Sequence, residues 1–236
     1  MPHLGRDVLL RLDLQNFFPS VGWARVRAVF SSLGYPSGVS RILAGLCTHR
    51  TSVPLAGPAF RQLPWDFRKM LRNRHLPQGA PTSPALANLC AWHLDSRLHG
   101  LGQRLDLHYT RYADDLAISG TIDRHYLART VLPLIGAITL EEGFRLNHRK
   151  TRMMTRSQRQ RFCGITVNVR PNPARCEYDT LKATLFNCVT HGPESQNRDK
   201  RQDFRQHLQG RVSNISFLNP ERGKKLQTLM EQVRWK

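Results

Sequence analysis

Three aspartates stand at the ends of short strand-like runs, and no other feature of this chain constrains its fold as tightly. Residues Val8 to Leu14 alternate and are rich in Val and Leu, as a buried strand is, with Asp13 at the C-terminal end. His108 to Tyr112 and Leu116 to Ser119 are two further short runs flanking Asp114-Asp115, where a tight turn places both carboxylates at its tip. Taken alone, an Asp-Asp pair is an ordinary polar turn. Here the acids stand in a chain with 36 Lys and Arg against 17 Asp and Glu, and carboxylates gathered together need a cation. Such a set can bridge two Mg²⁺ ions about 3.5–4 Å apart.

Helical spacing accompanies the strands. Trp23, Val26, Val29, Phe30 and Leu33 recur at helical intervals until Gly34 and Pro36 stop the pattern. Thr48 to Arg74 reads as a long irregular excursion, rich in Pro, Gly and basic residues. One helix is expected over Thr82 to Leu101, with Thr82 or Ser83 as N-cap and Pro84 in the first turn. Another is expected over Leu127 to Glu142 despite Pro133, with Gly143 as C-cap. Short strands at Met153 and at Phe162 to Val169 are expected to complete the sheet. Beyond Pro171 and Pro173 come three amphipathic stripes: Tyr178, Leu181, Leu185 and Val189, then Phe204, Leu208 and Val212, then Leu226, Leu229, Met230 and Val233. The last begins with Asn219 as N-cap and Pro220 at the first helical position. The fold class is therefore α/β (α+β), an antiparallel sheet with packed helices over 1–170 and a helical subdomain over 171–236.

The formal charge of +19 favours a polyanionic partner. No apolar run approaches the roughly 20 residues that span a bilayer, and the N-terminus has no signal-peptide pattern, so no membrane partner and a cytoplasmic location are expected. Five widely spaced cysteines, without a C-x-x-C pair, suit neither zinc nor a disulfide framework and read mostly as small core residues.

Longer motifs carry a family resemblance. LLRLDLQNFFPSV at 9–21, HLPQGAPTSPALANL at 75–89, RYADDLAISG at 111–120 and GFRLNHRKTRMM at 143–154 follow one another in the order found in reverse transcriptases. With QRFCGITVNV at 160–169 and ISFLNPERG at 215–223, nearly the whole chain resembles bacterial retron-type enzymes and, more distantly, group II intron enzymes. The resemblance implies a right-hand palm with a helical thumb, and an RNA-directed DNA polymerase adding dNTPs to a primer 3′-hydroxyl. Its cofactor would be two Mg²⁺ ions, with Mn²⁺ as a substitute. Asp13, Asp114 and Asp115 match the metal-binding aspartates, with the Leu14 carbonyl as a further ligand. Phe18 matches the aromatic residue beneath the incoming sugar, where a ring collides with a 2′-hydroxyl. Gln78, Gly79 and Tyr112 fall at positions that contact nucleotide and template. Lys150 matches a lysine that serves as general acid to pyrophosphate, and Phe162, Cys163 and Gly164 occupy the primer-grip turn. The implied partners are an RNA template, a DNA or RNA primer, dNTP and a structured cognate non-coding RNA. Retroelement mobility and antiphage defence are the implied settings.

Two departures stand out. Retron enzymes typically carry Val-Thr-Gly where this chain has Phe162-Cys163-Gly164. Asp13 also lies close to Met1, whereas family members have a fingers region before that motif, so the fingers are expected to be largely absent. A catalytically impaired RNA-binding protein that keeps the palm fold therefore stands beside the polymerase as a second reading. A metal-dependent nuclease has only the acids in its favour. An RNA-dependent RNA polymerase shares the palm, but Phe18 points to deoxynucleotides.

Overall fold

The computed structural model describes residues 1–51 and 58–235. Two compact units divide the chain: Asp7–Met153, and Met1–Arg6 together with Met154–Lys236. The division falls at Met153, upstream of the change in composition near Pro171.

The first unit is built on β1 (Val8–Asp13), in which every side chain except Arg11 is buried. A strand covered on both faces needs a nearly continuous apolar run, and VLLRLD is one. Asn16 then takes a left-handed conformation, φ 53°, and turns the chain into the short helix α1 (Phe17–Ser20); asparagine tolerates that region better than most residues. Helices α2 (Trp23–Ser32) and α3 (Ser37–Cys47) pack together. The sequence reading passes over α3, whose glycines and serines weaken its propensity and whose Ile42 and Leu46 face solvent.

The expected irregular excursion after Thr48 is in part regular. Residues 52–57 lie outside the described residues, but α4 (Pro58–Arg61) and α5 (Trp65–Arg72) follow. Asp66 in the first turn of α5 and Lys69 and Arg72 in the last complement its dipole. The single helix expected over Thr82 to Leu101 is two, α6 (Ser83–Cys90) and α7 (Trp92–Arg104), parted at the fully buried Ala91. Alanine is the strongest helix former, so packing and not propensity makes that break.

Strands β2 (His108–Tyr112) and β3 (Asp115–Gly120) form the expected hairpin. Next, α8 (Arg124–Tyr126) is capped by the Asp123 carboxylate, which accepts from the Tyr126 N–H at 2.9 Å. A wide π-helical turn, Leu127–Val131, leads into α9 (Leu132–Glu141), and Gly143 ends it at φ 77°. The wide turn sits just ahead of Pro133, where a regular helix would suffer the proline's missing N–H and its clash with the preceding turn. Strand β4 (Arg152–Thr155) completes a sheet of order β2-β3-β1-β4 and carries the chain out of the unit. Leu10, Leu12, Leu94, Leu116, Ile135 and Phe144 are among its core residues.

In the second unit, β5 (Arg161–Phe162) and β6 (Ile165–Thr166) form a hairpin of their own and do not complete the main sheet, as the sequence had suggested for Phe162 to Val169. Three helices follow: α10 (Arg175–His191), α11 (Phe204–Leu218) and α12 (Pro220–Gln232). The expected stripes meet in one core through Leu181, Leu185, Leu208, Val212, Leu226 and Met230, except that Val189 is exposed and Cys188 beside it takes the buried position. Asn219 caps α12, its side chain accepting from the Arg222 N–H at 3.2 Å. The core role expected for most of the five cysteines is realised fully only by Cys188; Cys47 and Cys90 are half-buried, and Cys163 and Cys176 are exposed. No helix among the described residues is long and apolar enough to cross a membrane.

Two glycines in the helical unit test this packing in opposite directions. A Cβ at Gly223 would come within 2.5 Å of the Ser216 Cα, whereas one at Gly210 meets nothing within 4 Å. Gly223→Ala is expected to cost about 1–3 kcal/mol of stability. Gly210→Ala should add about 0.5–1 kcal/mol. Denaturant melts of the two variants, followed by circular dichroism, check both signs.

Candidate active site

Pairing of β1 with β3 sets the position of the acids. The register runs from Val8 opposite Gly120 to Asp13 opposite Asp115, so two of the three carboxylates are direct cross-strand neighbours. Asp114 occupies the two-residue loop between β2 and β3, since Tyr112 pairs with Asp115. Ala113, the other loop residue, is left-handed at φ 52°. The Leu14 N–H donates to the Asp114 carbonyl at 2.8 Å and ties the loop to the end of β1. On the other side of β1, the Asn147 N–H donates to the Asp13 carbonyl and the Gln15 N–H to the Arg145 carbonyl, both at 2.7 Å. That bridge brings Lys150 to the site.

Each of two acids faces a base. The Lys150 ammonium donates to Asp13 Oδ1 at 2.8 Å. That bond raises the Lys150 pKa; burial opposes it, and the charges of Asp13, Asp114 and Asp115 add to the rise. Arg11 lies two residues before Asp13 and so on the same face of β1. Its guanidinium holds both oxygens of Asp115, at 2.8 and 2.9 Å, with Nε at 3.1 Å from Oδ1. The sequence reading did not single out Arg11. Its signal was an arginine inside an otherwise apolar strand, which needs an acid facing it.

The chemistry of the donor set fits a divalent cation: three carboxylates supply hard oxygen ligands. The backbone gathers them, but the side chains as they stand form no ready cage. Among the described residues, no group of three or more His, Cys, Asp or Glu is assembled to hold a metal. To bind one, Asp13 would release Lys150 and Asp115 would release Arg11.

Phe18 is half-buried on α1 and meets Phe17 edge-on, with ring centroids 5.5 Å apart. Gln78 and Gly79 form an exposed turn just before α6, in which Gly79 has φ 91°. That backbone conformation is one glycine adopts without penalty. Tyr112 projects to solvent, 72% exposed. A cleft of about 340 Å³ opens beyond Asp13, lined by Gln15, Asn16, Ser20, Phe67, Met70 and Arg145 among others. Asp66 of α5 pairs with Arg145 there, so the basic helix α5 flanks this cleft.

Phe162, Cys163 and Gly164 belong to the second unit. Cys163 and Gly164 are the two central residues of the β5–β6 turn, at φ 47° and 81°. Positive φ at both marks the hairpin turn whose twist suits the flanking strands. Phe162 packs edge-on against His3, 5.9 Å between ring centroids.

Comparison with known proteins identifies the family. Residues 2–167 match the family described as Reverse transcriptase (RNA-dependent DNA polymerase). Retron Mx65 reverse transcriptase of Myxococcus xanthus is 41% identical over 95% of this chain and 49% of its own length. Retron Mx162 reverse transcriptase of the same organism is 32% identical over 95% and 47%. Retron Ec86 reverse transcriptase of Escherichia coli is 33% identical over 71% and 44%. The chain thus spans about half the length of the curated relatives it matches. With the family match covering the whole Asp7–Met153 unit and retron enzymes aligned along nearly all of the chain, this protein belongs to the reverse transcriptase family and is similar to its retron-type members.

Proposed function

We propose that this chain is an RNA-directed DNA polymerase that adds dNTPs to a primer 3′-hydroxyl on an RNA template. The observation that carries this reading is the meeting of Asp13, Asp114 and Asp115 at the ends of β1 and β3, beside Lys150. Asp13, Asp114 and Asp115, with the Leu14 carbonyl, would hold two Mg²⁺ ions, and Mn²⁺ would serve in their place. When bound, such ions neutralise charge on the transferring phosphate and make the primer hydroxyl a better nucleophile.

The remaining roles belong to the chain's own residues. Lys150, which lies beside Asp13, would serve as general acid to the departing pyrophosphate. Phe18 would lie beneath the sugar and exclude a 2′-hydroxyl. The turn at Gln78-Gly79, and Tyr112 of the 111–120 motif, would meet the nucleotide and template. The Phe162-Cys163-Gly164 turn would hold the primer, and the helices α10 to α12 would serve as a thumb. Arg145, which lines the cleft beyond Asp13, would offer a positive charge to the triphosphate. The surplus of 19 positive charges suits a nucleic-acid duplex. A structured cognate non-coding RNA is a proposed further partner beside template and primer, and retroelement mobility or antiphage defence the proposed setting. The family match and the retron relatives support the polymerase over the catalytically impaired RNA-binding alternative.

Primer extension on an RNA template, with dNTPs and Mg²⁺, tests the reading directly. Asp114→Asn and Asp115→Asn are each expected to abolish extension while RNA affinity stays within about threefold, because the metal site is lost and the basic surface is kept. Extension by both variants would remove these residues from the mechanism. Phe18→Ala is expected to raise incorporation of ribonucleotides relative to deoxynucleotides, read as a ratio of kcat/KM values. An unchanged ratio would make Phe18 a packing residue only.

A further inference from the structure

Arg111 precedes the exposed Tyr112 on β2, yet its own side chain is only 6% exposed. Every nitrogen of its guanidinium is engaged. Nε and one terminal nitrogen grip the two oxygens of Asp95 on α7 at 2.8 and 2.6 Å. The other terminal nitrogen donates to the Ala113 carbonyl at 3.0 Å and to the Asn88 side-chain oxygen, on α6, at 2.9 Å. The guanidinium also lies over the Phe17 ring, 5.4 Å from its centroid. The Tyr109 hydroxyl donates to the same Asp95 at 2.7 Å and completes the part-buried group. Burial works against the charge of Arg111, but the bonds and charge of Asp95 outweigh it and keep the guanidinium protonated.

These contacts converge on the two parts of the site that need the finest placement. Ala113 sits at φ 52°, a conformation that a non-glycine residue keeps only where its surroundings hold it. The arginine that holds its carbonyl is itself anchored on two helices, so the turn presenting Asp114 is referred to the body of the unit and not left to local preference. Through Phe17, the same side chain supports the neighbour of Phe18, whose ring meets Phe17 edge-on. A planar fork with five donors can make all these bonds at once, and an ammonium cannot. A structural ion pair needs only Asp95; the bond to Ala113 reaches into the catalytic loop.

We infer that Arg111 is a positioning residue of the active site, which fixes the turn bearing Asp114 and, through Phe17, the helix bearing Phe18. The kinetic part of this inference rests on the polymerase reading; the geometric part does not. The test is Arg111→Lys in the full chain, which keeps a charge facing Asp95 but lacks the fork. Amide hydrogen exchange at Leu14, bonded to the Asp114 carbonyl, should quicken about tenfold, while the helices α10 to α12 exchange as in the parent. The Mg²⁺ concentration for half-maximal extension should rise several-fold and kcat fall about tenfold or more, with KM for primer and template unchanged. Parent-like exchange at Leu14, or exchange that quickens equally throughout the chain, would overturn the inference. Should Arg111→Lys fail to fold, Asn88→Ala serves instead, because Asn88 is exposed and its loss leaves the pair with Asp95 intact. It should move Leu14 exchange and the Mg²⁺ requirement in the same direction, and values equal to the parent's would overturn the proposal. A parent chain that extends no primer would refute the polymerase reading, and the exchange measurements would still decide the role of Arg111.

Discussion

The antiparallel pairing of β1 with β3 is the interaction on which the site depends. A one-residue slip between strands turns every side chain to the opposite face, so Asp13 faces Asp115 only in the observed register. The far end of that register is locked by shape. A Cβ at Gly120 would lie 2.5 Å from the Leu107 side chain, and one at Gly102 would lie 2.8 Å from the Leu107 carbonyl. With glycine at both positions, the segment that leads into β2 packs closely against α7 and the end of β3. The acids at the near end are thus positioned by contacts a full strand length away.

Electrostatics explains how three carboxylates can share one end of a largely buried sheet. The Asp13 side chain is 8% exposed and that of Asp115 20%. Removing such groups from water and placing them together disfavours their charged forms unless cations stand close. Lys150 and Arg11 supply that compensation, and the part-buried pair of Asp95 with Arg111 repeats it beside the turn. A cation held by Asp13 and Asp115 would take the place of these positive charges. The chain's basic surplus serves two ends in this way, since the groups that balance the acids also favour a phosphate-bearing partner.

Much of the architecture was legible because the local and global signals agree. The β2–β3 hairpin has two strand-like runs around a polar pair, and the observed strands are His108–Tyr112 and Asp115–Gly120. The three C-terminal helices carry stripes that meet in one core, and Asn219 caps the last of them as its sequence suggests. Where signals conflict, the reading failed. Basic residues and prolines hid α5, and the glycines of α3 masked a helix that forms against α2. Ala91 breaks a helix that its propensity would continue, and Phe162 to Val169 pairs with itself and not with the main sheet.

What the sequence determined by itself was the kind of chemistry and the elements that bear it: acids at strand ends, a basic chain, and motifs whose order marks a family. Residue type and short-range periodicity carry that information, because a strand's alternation and a turn's preferences act over a few residues. Tertiary structure decided the partners. That Arg11 grips Asp115, that Lys150 reaches Asp13 across 137 positions, and that Arg111 joins Asp95 to the Ala113 carbonyl follow from strand register and helix packing. A guanidinium in a sequence has no direction. Only the fold, by burying it among particular acceptors, decides which carboxylate it holds and which turn it fixes.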